Sequence, residues 1–263
     1  MWVLAEYEAT SFFSLKSSLA TSSAGKTLLV PTPFALKMAL LDIAIRSEGL
    51  AQGNQAFDWL RDLEVAIIPA KRAVVTNLFA KIQKPRRTDG ENKKKNKTDP
   101  SGEEPELIVQ LEEEISENGP MAGPFGPTIA YREYVHFRGR IGLAFRPRPG
   151  LFEIEALQRL PAFLIQLNYL GKRGGFWQLV SSVSQTEELA TDFVELTSDS
   201  GRTHFGGILQ VLDDCGPELN FEKVDIYSDK KIRAGKERIA RPVVLPYRLL
   251  RSSRSYSYYE RID

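Results

Sequence analysis

Two spacings of apolar side chains dominate the first fifty residues. In WVLAEYEAT (2–10), successive residues fall alternately on the two sides of an extended chain, which predicts a first β-strand. Thr32 followed by Pro33 is typical of a helix start, because proline fits the first helical turn. Helical spacing then relates four apolar residues: Phe34, Met38, Leu41 and Ile45. This pattern predicts an amphipathic helix that ends at residues 47–49.

Shorter patterns follow along the rest of the chain. Residues 54–60 predict a short helix, and the β-branched residues of 63–83 predict a strand, a turn and a second strand. The other segments are a strand with a glycine bend (131–145), a helix interrupted near Pro161 (151–167) and a glycine-rich turn that enters a strand (168–183). Strands with antiparallel hairpins alternate with helices, so we expect an α+β fold, with a sheet packed on helices, rather than a Rossmann domain.

One segment differs from its surroundings in composition. Residues 84–106 contain no apolar residue, three prolines, two glycines and seven lysines or arginines. Such a segment cannot bury enough surface to offset its chain entropy. We therefore expect a mobile polar insertion within a single domain that spans residues 1–263.

Composition narrows the classes of protein. The one cysteine, Cys215, allows no intrachain disulfide, which fits a reducing cytoplasm, and there is no cluster of cysteine or histidine with zinc spacing. We expect no metal and no cofactor. The N-terminal sequence MWVLAEYEAT lacks the basic and long apolar parts of a signal peptide, and no apolar run reaches the ~20 residues of a membrane span.

The sequence Gly25-Lys26-Thr27 resembles the end of a phosphate-binding loop. That loop needs a glycine five residues earlier, where this chain has Ala20, and a helix that opens directly at the lysine. The predicted helix begins only at Pro33, so a nucleoside triphosphate site is not expected. Lys16 and Lys26 instead belong to a loop rich in serine and threonine, which suits either a nucleic-acid backbone or plain solvent.

Although the net charge is only +1, the cations are grouped. One group begins with Lys71 and Arg72, a second contains Arg138 and Arg140, and the third is the basic segment 230–263. Several aromatic residues lie among them and are candidates for stacking on bases: Tyr134, Phe137, Phe145, Phe176, Trp177, Tyr256 and Tyr258. For each aromatic residue taken singly, particularly Phe145 and Trp177, burial in the core is the better interpretation, and each basic group is also compatible with a solvated surface.

The sequence Lys172-Arg173-Gly174-Gly175 is the strongest candidate site. Two glycines allow the backbone to approach a phosphate closely, and two cations flank it. A β-turn with charged side chains is the simpler alternative. The residues predicted to bind RNA are Lys16, Lys26, Lys71, Arg72, Arg138, Arg140, Lys172, Arg173, Gly174 and Gly175.

Three stretches resemble the Cas-five family of CRISPR-associated proteins, which are RNA-binding proteins of the RAMP superfamily. They are ATSFFSLKSSLATSSAGKTLLVPTPFALKMALLDIAI (9–45), YLGKRGGFWQLV (169–180) and RPVVLPYRLLRSSRSYSYYE (241–260). The resemblance implies a ferredoxin-like, RNA-recognition-motif (RRM-type) core with a projecting β-hairpin thumb. Residues 84–130 are the candidate for this thumb and insertion.

The resemblance also implies a function and its partners. Family members bind the 5′ handle of the guide RNA in type I (Cascade) interference complexes, contact the backbone and large subunits, and meet target DNA indirectly. Most are not enzymes, which favours a non-catalytic subunit here. The alternative is a metal-independent endoribonuclease that matures precursor RNA, with His136 or His204 as general base. A scaffold without an RNA role is the third reading.

Overall fold

The computed structural model describes residues 1–16, 26–85, 125–150, 152–171, 174–198 and 206–262. The chain divides into two compact units, one of Met1–Leu78 with Arg132–Asp263 and one of Phe79–Tyr131. The helices are α1 (Pro33–Glu48), α2 (Leu50–Arg61), α3 (Glu153–Gln166) and α4 (Phe221–Val224). The strands are β1 (Trp2–Ala9), β2 (Glu64–Ile68), β3 (Arg72–Pro85), β4 (Phe125–Arg138), β5 (Ile141–Arg146), β6 (Trp177–Leu179), β7 (Ser184–Thr186), β8 (Val194–Glu195), β9 (Ile208–Cys215), β10 (Arg238–Leu245), β11 (Tyr247–Ser252) and β12 (Tyr256–Arg261).

The largest sheet among these elements has the strand order β6-β1-β5-β2-β8, with β7 also paired to β1. Every neighbouring pair is antiparallel. The register places Val3 opposite Phe145 and Tyr7 opposite Ile141, and all four side chains are buried. The predicted first strand is confirmed, and it lies in the middle of the sheet rather than at an edge.

The remaining strands form two further sheets. Strands β9 and β10 form an antiparallel pair, and β9 contacts α1. The third sheet has the order β11-β12-β3-β4, in which β3 and β4 contribute residues to both units. The α+β prediction is therefore confirmed as a mixed fold with antiparallel sheets. No helix within the described ranges is long and apolar enough to cross a bilayer.

Helix α1 begins where the sequence predicts. The Thr32 hydroxyl accepts a hydrogen bond from the Ala35 amide at 3.1 Å, Pro33 occupies the first turn, and Gly49 (φ 93°) ends the helix. Capping of this kind satisfies amides that have no partner inside the helix. The second helix is longer than the predicted 54–60, because it starts immediately after Gly49.

Helix α3 corrects the expected interruption near Pro161. The helix runs from Glu153 to Gln166 with this proline inside it. Proline in a helix interior costs about 3 kcal/mol. Leu160, Phe163 and Leu164 are fully buried on the same helix, and burial of one such side chain contributes about 1.5–3 kcal/mol. Burial of this apolar face therefore outweighs the local preference.

The adjacent aspartates Asp213 and Asp214 lie on β9. On a strand their side chains point to opposite sides. Asp213 pairs with Arg238, whereas Asp214 pairs with the buried Lys37 of α1 at 2.6 Å. The first pair links the two strands of the β9–β10 hairpin, and the second attaches this hairpin to the first helix.

Candidate nucleic-acid interface

The glycine-rich turn between α3 and β6 is attached to the end of β1. The Leu170 amide donates to the Gly175 carbonyl at 3.0 Å, which closes the turn. Ser11 holds it from outside: its hydroxyl donates to the Gly174 carbonyl at 2.6 Å and accepts from the Phe176 amide at 2.9 Å. The turn is thereby fixed to the chain that leaves β1. Lys172 and Arg173 lie outside the described residues.

Two glycines in this turn adopt backbone conformations that other residues rarely take. Gly171 has φ 74° and Gly174 has φ 102°. A Cβ at Gly171 would also lie 2.6 Å from Cδ2 of Leu15, whereas nothing lies within 4 Å of a Cβ at Gly174. Gly171 therefore permits both the turn and its close contact with the segment after β1, while Gly174 serves the turn alone.

The two lysines of the β1–α1 loop lie at its base. Lys16 and Thr27 form an isolated antiparallel bridge, supported by the Leu28 amide on the Leu15 carbonyl at 2.8 Å. Lys26 precedes this bridge and is exposed, and Lys16 is partly exposed. The bridge places the backbone of Lys16 beside Thr27, and Lys26 is the residue that precedes this bridge.

A cleft of about 360 Å³ joins these parts. Lys16 and Gly171 line it together with apolar and aromatic residues that include Phe34, Met38 and Tyr169. Its volume lies at the small end of the range for ligand pockets, about 300–1,000 Å³. One predicted cation and the glycine turn thus meet around the first turn of α1.

Arg238 lines the cleft on the side of the β9–β10 hairpin. Its guanidinium pairs with Asp213 and lies 4.1 Å from the centre of the Phe34 ring. Because Asp213 largely neutralises Arg238, this arginine stabilises the wall of the cleft more than it attracts an anion. Lys16 is then the main cationic lining residue of this cleft among those described.

The other predicted cations lie on different elements. Lys71 and Arg72 are at the beginning of β3, where Arg72 pairs with Glu260 of β12 at 3.3 Å. Arg140 follows β4 and pairs with Glu6 of β1 at 3.1 Å. Arg138 ends β4 and is exposed. The structure therefore brings Lys16 and Gly171 to one cleft. Lys26 lies next to the bridge between Lys16 and Thr27, and Gly174 and Gly175 belong to the same turn as Gly171.

The aromatic candidates include buried and exposed rings, with Tyr134 and Tyr258 partly exposed. Phe137, Phe145 and Trp177 are 4% exposed or less, which confirms the core interpretation of all three. Phe176 is 55% exposed, and Tyr256 is 36% exposed. Only the exposed rings are available to a base without rearrangement of the core.

Of the two candidate catalytic histidines, the structure describes His136. His136 is exposed on β4, with its ring centre 5.3 Å from that of Phe12. His204 lies outside the described residues. Among the residues that the structure describes, no group of three histidine, cysteine or carboxylate side chains is arranged to hold a metal ion.

Sequence reasoning missed Ser11 and Tyr169 as parts of this site. A serine at the end of a strand carries no signal of its own, because its partner at Gly174 is 163 positions away. For Phe12, the sequence does contain a pattern that indicates exposure. In the extended pair Phe12-Phe13, neighbouring side chains point to opposite faces, so one of the two rings must leave the core.

No family model matches the chain. Over most of its length, however, the chain is similar to a CRISPR-associated protein of Archaeoglobus fulgidus. That relative is CRISPR-associated protein Cas5, which is 24% identical over 246 residues, covering 90% of both chains. The similarity confirms the resemblance to the Cas-five family.

Among solved structures, the chain is similar to a CRISPR protein from Archaeoglobus fulgidus, a crystal structure. The TM-score is 0.42 at 12% sequence identity, over 100% of this chain and 92% of that one.

Proposed function

We propose that the protein is a Cas5-type subunit of a type I CRISPR effector complex, and that it binds and caps the 5′ handle of the guide RNA without cleaving it. The observation that carries this proposal is the similarity to Cas5 over nine tenths of both chains.

The RNA-binding surface in this proposal is the mouth of the cleft. Lys16 and Lys26 neutralise backbone phosphates, and the glycine turn lets the RNA backbone approach the protein closely. Ser11 supports the proposal because it fixes the turn beside the lysine-bearing loop, and a pre-positioned turn loses little entropy on binding.

The proposed fold is a ferredoxin-like core made of β1, β2, β5 and β6 with the helices between them. The order β6-β1-β5-β2 and its antiparallel neighbours support it, because two interleaved β–α–β units produce that arrangement. The thumb stays a prediction for residues 84–130, of which the structure describes residues 84, 85 and 125–130.

The partners in this proposal are the guide RNA, the backbone subunit and the large subunit, in the cytoplasm. Target DNA is contacted only through the assembled complex, and no membrane takes part.

Binding of labelled handle RNA across a salt series tests the proposal. Lys16→Gln and Lys26→Gln should each weaken binding and lower the salt slope by about 0.7, the value for one phosphate of a single strand. Arg46→Gln is the matched control, since it removes one exposed cation about 10 Å along α1 from Ala39, the nearest residue that lines the cleft. Equal affinity for handle and scrambled RNA, with no effect of the lysine variants, would refute it.

A cleavage assay with the same RNA distinguishes the non-catalytic subunit from the endoribonuclease. Incubation without metal should leave handle-containing repeat RNA intact if the subunit is non-catalytic. Cleavage at one position, lost in His136→Ala or His204→Ala, would instead establish the endoribonuclease.

A further inference from the structure

Three buried aromatic rings form a cluster where β1, β4 and β6 meet. Phe13, Phe137 and Trp177 have ring centres 4.9, 5.2 and 5.9 Å apart, and each is 4% exposed or less. Backbone hydrogen bonds hold the three segments side by side: Phe13 exchanges two with Val135, and the Thr10 amide donates to the Phe176 carbonyl at 3.0 Å.

The residues next to these three rings must point the other way, because side chains alternate along extended segments. Those residues are Phe12, His136 and Phe176, which we call the outer rings. Phe12 and Phe176 are each 55% exposed, and His136 is exposed as well. Phe12 and His136 are in contact, with ring centres 5.3 Å apart. Phe12 and His136 thus form an exposed pair of rings, and Phe176 presents a third exposed ring from the segment that Ser11 holds through the Phe176 amide.

We infer that the outer rings are a stacking platform for unpaired bases of the bound RNA. The inference rests on the proposed function and specifies which part of the RNA this patch takes. A nucleobase offers a flat π-face, which an aromatic ring recognises regardless of sequence. Bases of a single strand are free to stack in this way, whereas paired bases are not.

The position of the platform favours RNA over an apolar protein partner. Ser11, which precedes Phe12 and binds the Phe176 amide, also holds the glycine turn. The platform therefore continues directly from the surface proposed to bind phosphates. Arg138 lies on the same face of β4 as His136 and is exposed, so a cation stands beside the rings, as an anionic strand requires.

Nearby charges do not oppose this occupant. Glu6 and Glu8 of β1 are paired with Arg140 at 3.1 and 3.7 Å, and Glu133 accepts the Thr27 amide at 2.9 Å. The carboxylates of the surrounding strands are thus engaged with protein donors, which limits their repulsion of a phosphate backbone.

The test uses handle RNA and the variants Phe12→Leu and Phe176→Leu, which keep apolar bulk but remove the π-face. Each should bind about five- to 150-fold more weakly, as expected for loss of one base stack, with an unchanged salt slope. Lys16→Gln should change the slope, which separates stacking from phosphate contacts. Phe152→Leu, at an exposed phenylalanine before α3, is the matched control and should bind normally.

Handle RNA with single abasic sites completes the test. At the stacked position the abasic RNA should lose the same factor, and Phe12→Leu or Phe176→Leu should add nothing further. If both variants bind as tightly as the unsubstituted protein while Lys16→Gln weakens binding, the platform is refuted and the proposed function stands. If the variants bind RNA normally but fail to join the complex, the patch is a protein interface and the inference is wrong. If the unsubstituted protein binds no handle RNA, alone or in the complex, both fail.

Discussion

Removal of one charge from the buried pair between α1 and β9 should destabilise the protein unequally, depending on which partner is changed. Lys37 is 2% exposed and its ammonium lies 2.6 Å from Oδ1 of Asp214. Its other recorded partner is the Arg61 carbonyl at 2.8 Å. Asp214 has more support, since it also accepts the Cys215 amide at 2.8 Å and pairs with Arg241 at 3.2 Å.

The magnitudes follow from what each substitution leaves behind. Asp214→Asn leaves the Lys37 ammonium buried with neutral acceptors in place of its carboxylate, and loss of one charge of a buried pair costs about 3–5 kcal/mol. Lys37→Met leaves a carboxylate that keeps an arginine and an amide, so we expect about 1–3 kcal/mol. For a chain of this size, the larger loss corresponds to a decrease in Tm of roughly 6–20 °C.

Thermal unfolding followed by tryptophan fluorescence measures both variants. Asp42→Asn is the matched control: it breaks the exposed pair with Arg46 on α1 and should cost about 0.3–0.5 kcal/mol. Equal losses for the two buried variants, or a smaller loss for Asp214→Asn, would show that the unpaired ammonium is not what determines the cost.

Three further outcomes can be checked separately. Gly171→Ala and Gly174→Ala should each lose about 1–2 kcal/mol from positive φ, and Gly171→Ala should lose more because its Cβ would meet a leucine carbon at 2.6 Å; equal losses in Tm would contradict this. Burial raises the pKa of the Cys215 thiol to about 12, so a thiol reagent at pH 8 should label the folded protein slowly and the urea-unfolded protein at once; rapid labelling of folded protein would refute it. Hydrogen bonding from Arg248 lowers the pKa of Glu260 below its ordinary value of 4.5. The ionised Glu260 therefore stabilises the folded protein above pH 4.5, and this contribution is lost as the pH falls through the lower pKa of the folded state. Glu260→Gln should reduce the loss of stability on acidification, and an unchanged dependence of stability on pH would argue against the assignment.

The elements predicted well from the sequence were those that depend on neighbouring residues. The first strand follows from alternation, and the start of α1 follows from Thr32 and Pro33, whose effects act within one turn. The strand, turn and strand of 63–83 are likewise confirmed as β2 and β3. Each of these signals is complete within a few positions of the chain.

The features that the sequence did not predict depend on partners far away along the chain. Helix α3 continues through Pro161 because its apolar face is buried, which no local rule reveals. Lys37 is buried on α1 although it carries a charge, because its partner Asp214, which is 177 positions later, neutralises it. The cleft escaped for the same reason, since Lys16 and Gly171 come from distant segments that only the folded sheet brings together.

The central position of β1 has a consequence for biosynthesis. Its neighbours are β5, β6 and β7, and the partners of β2 are β5 and β8, so both strands leave the ribosome long before anything can pair with them. Helices α1 and α2, which contact each other, can form at once. The nascent chain therefore carries two apolar strands without partners through much of its translation. This high contact order slows folding and makes early chains a target for chaperones.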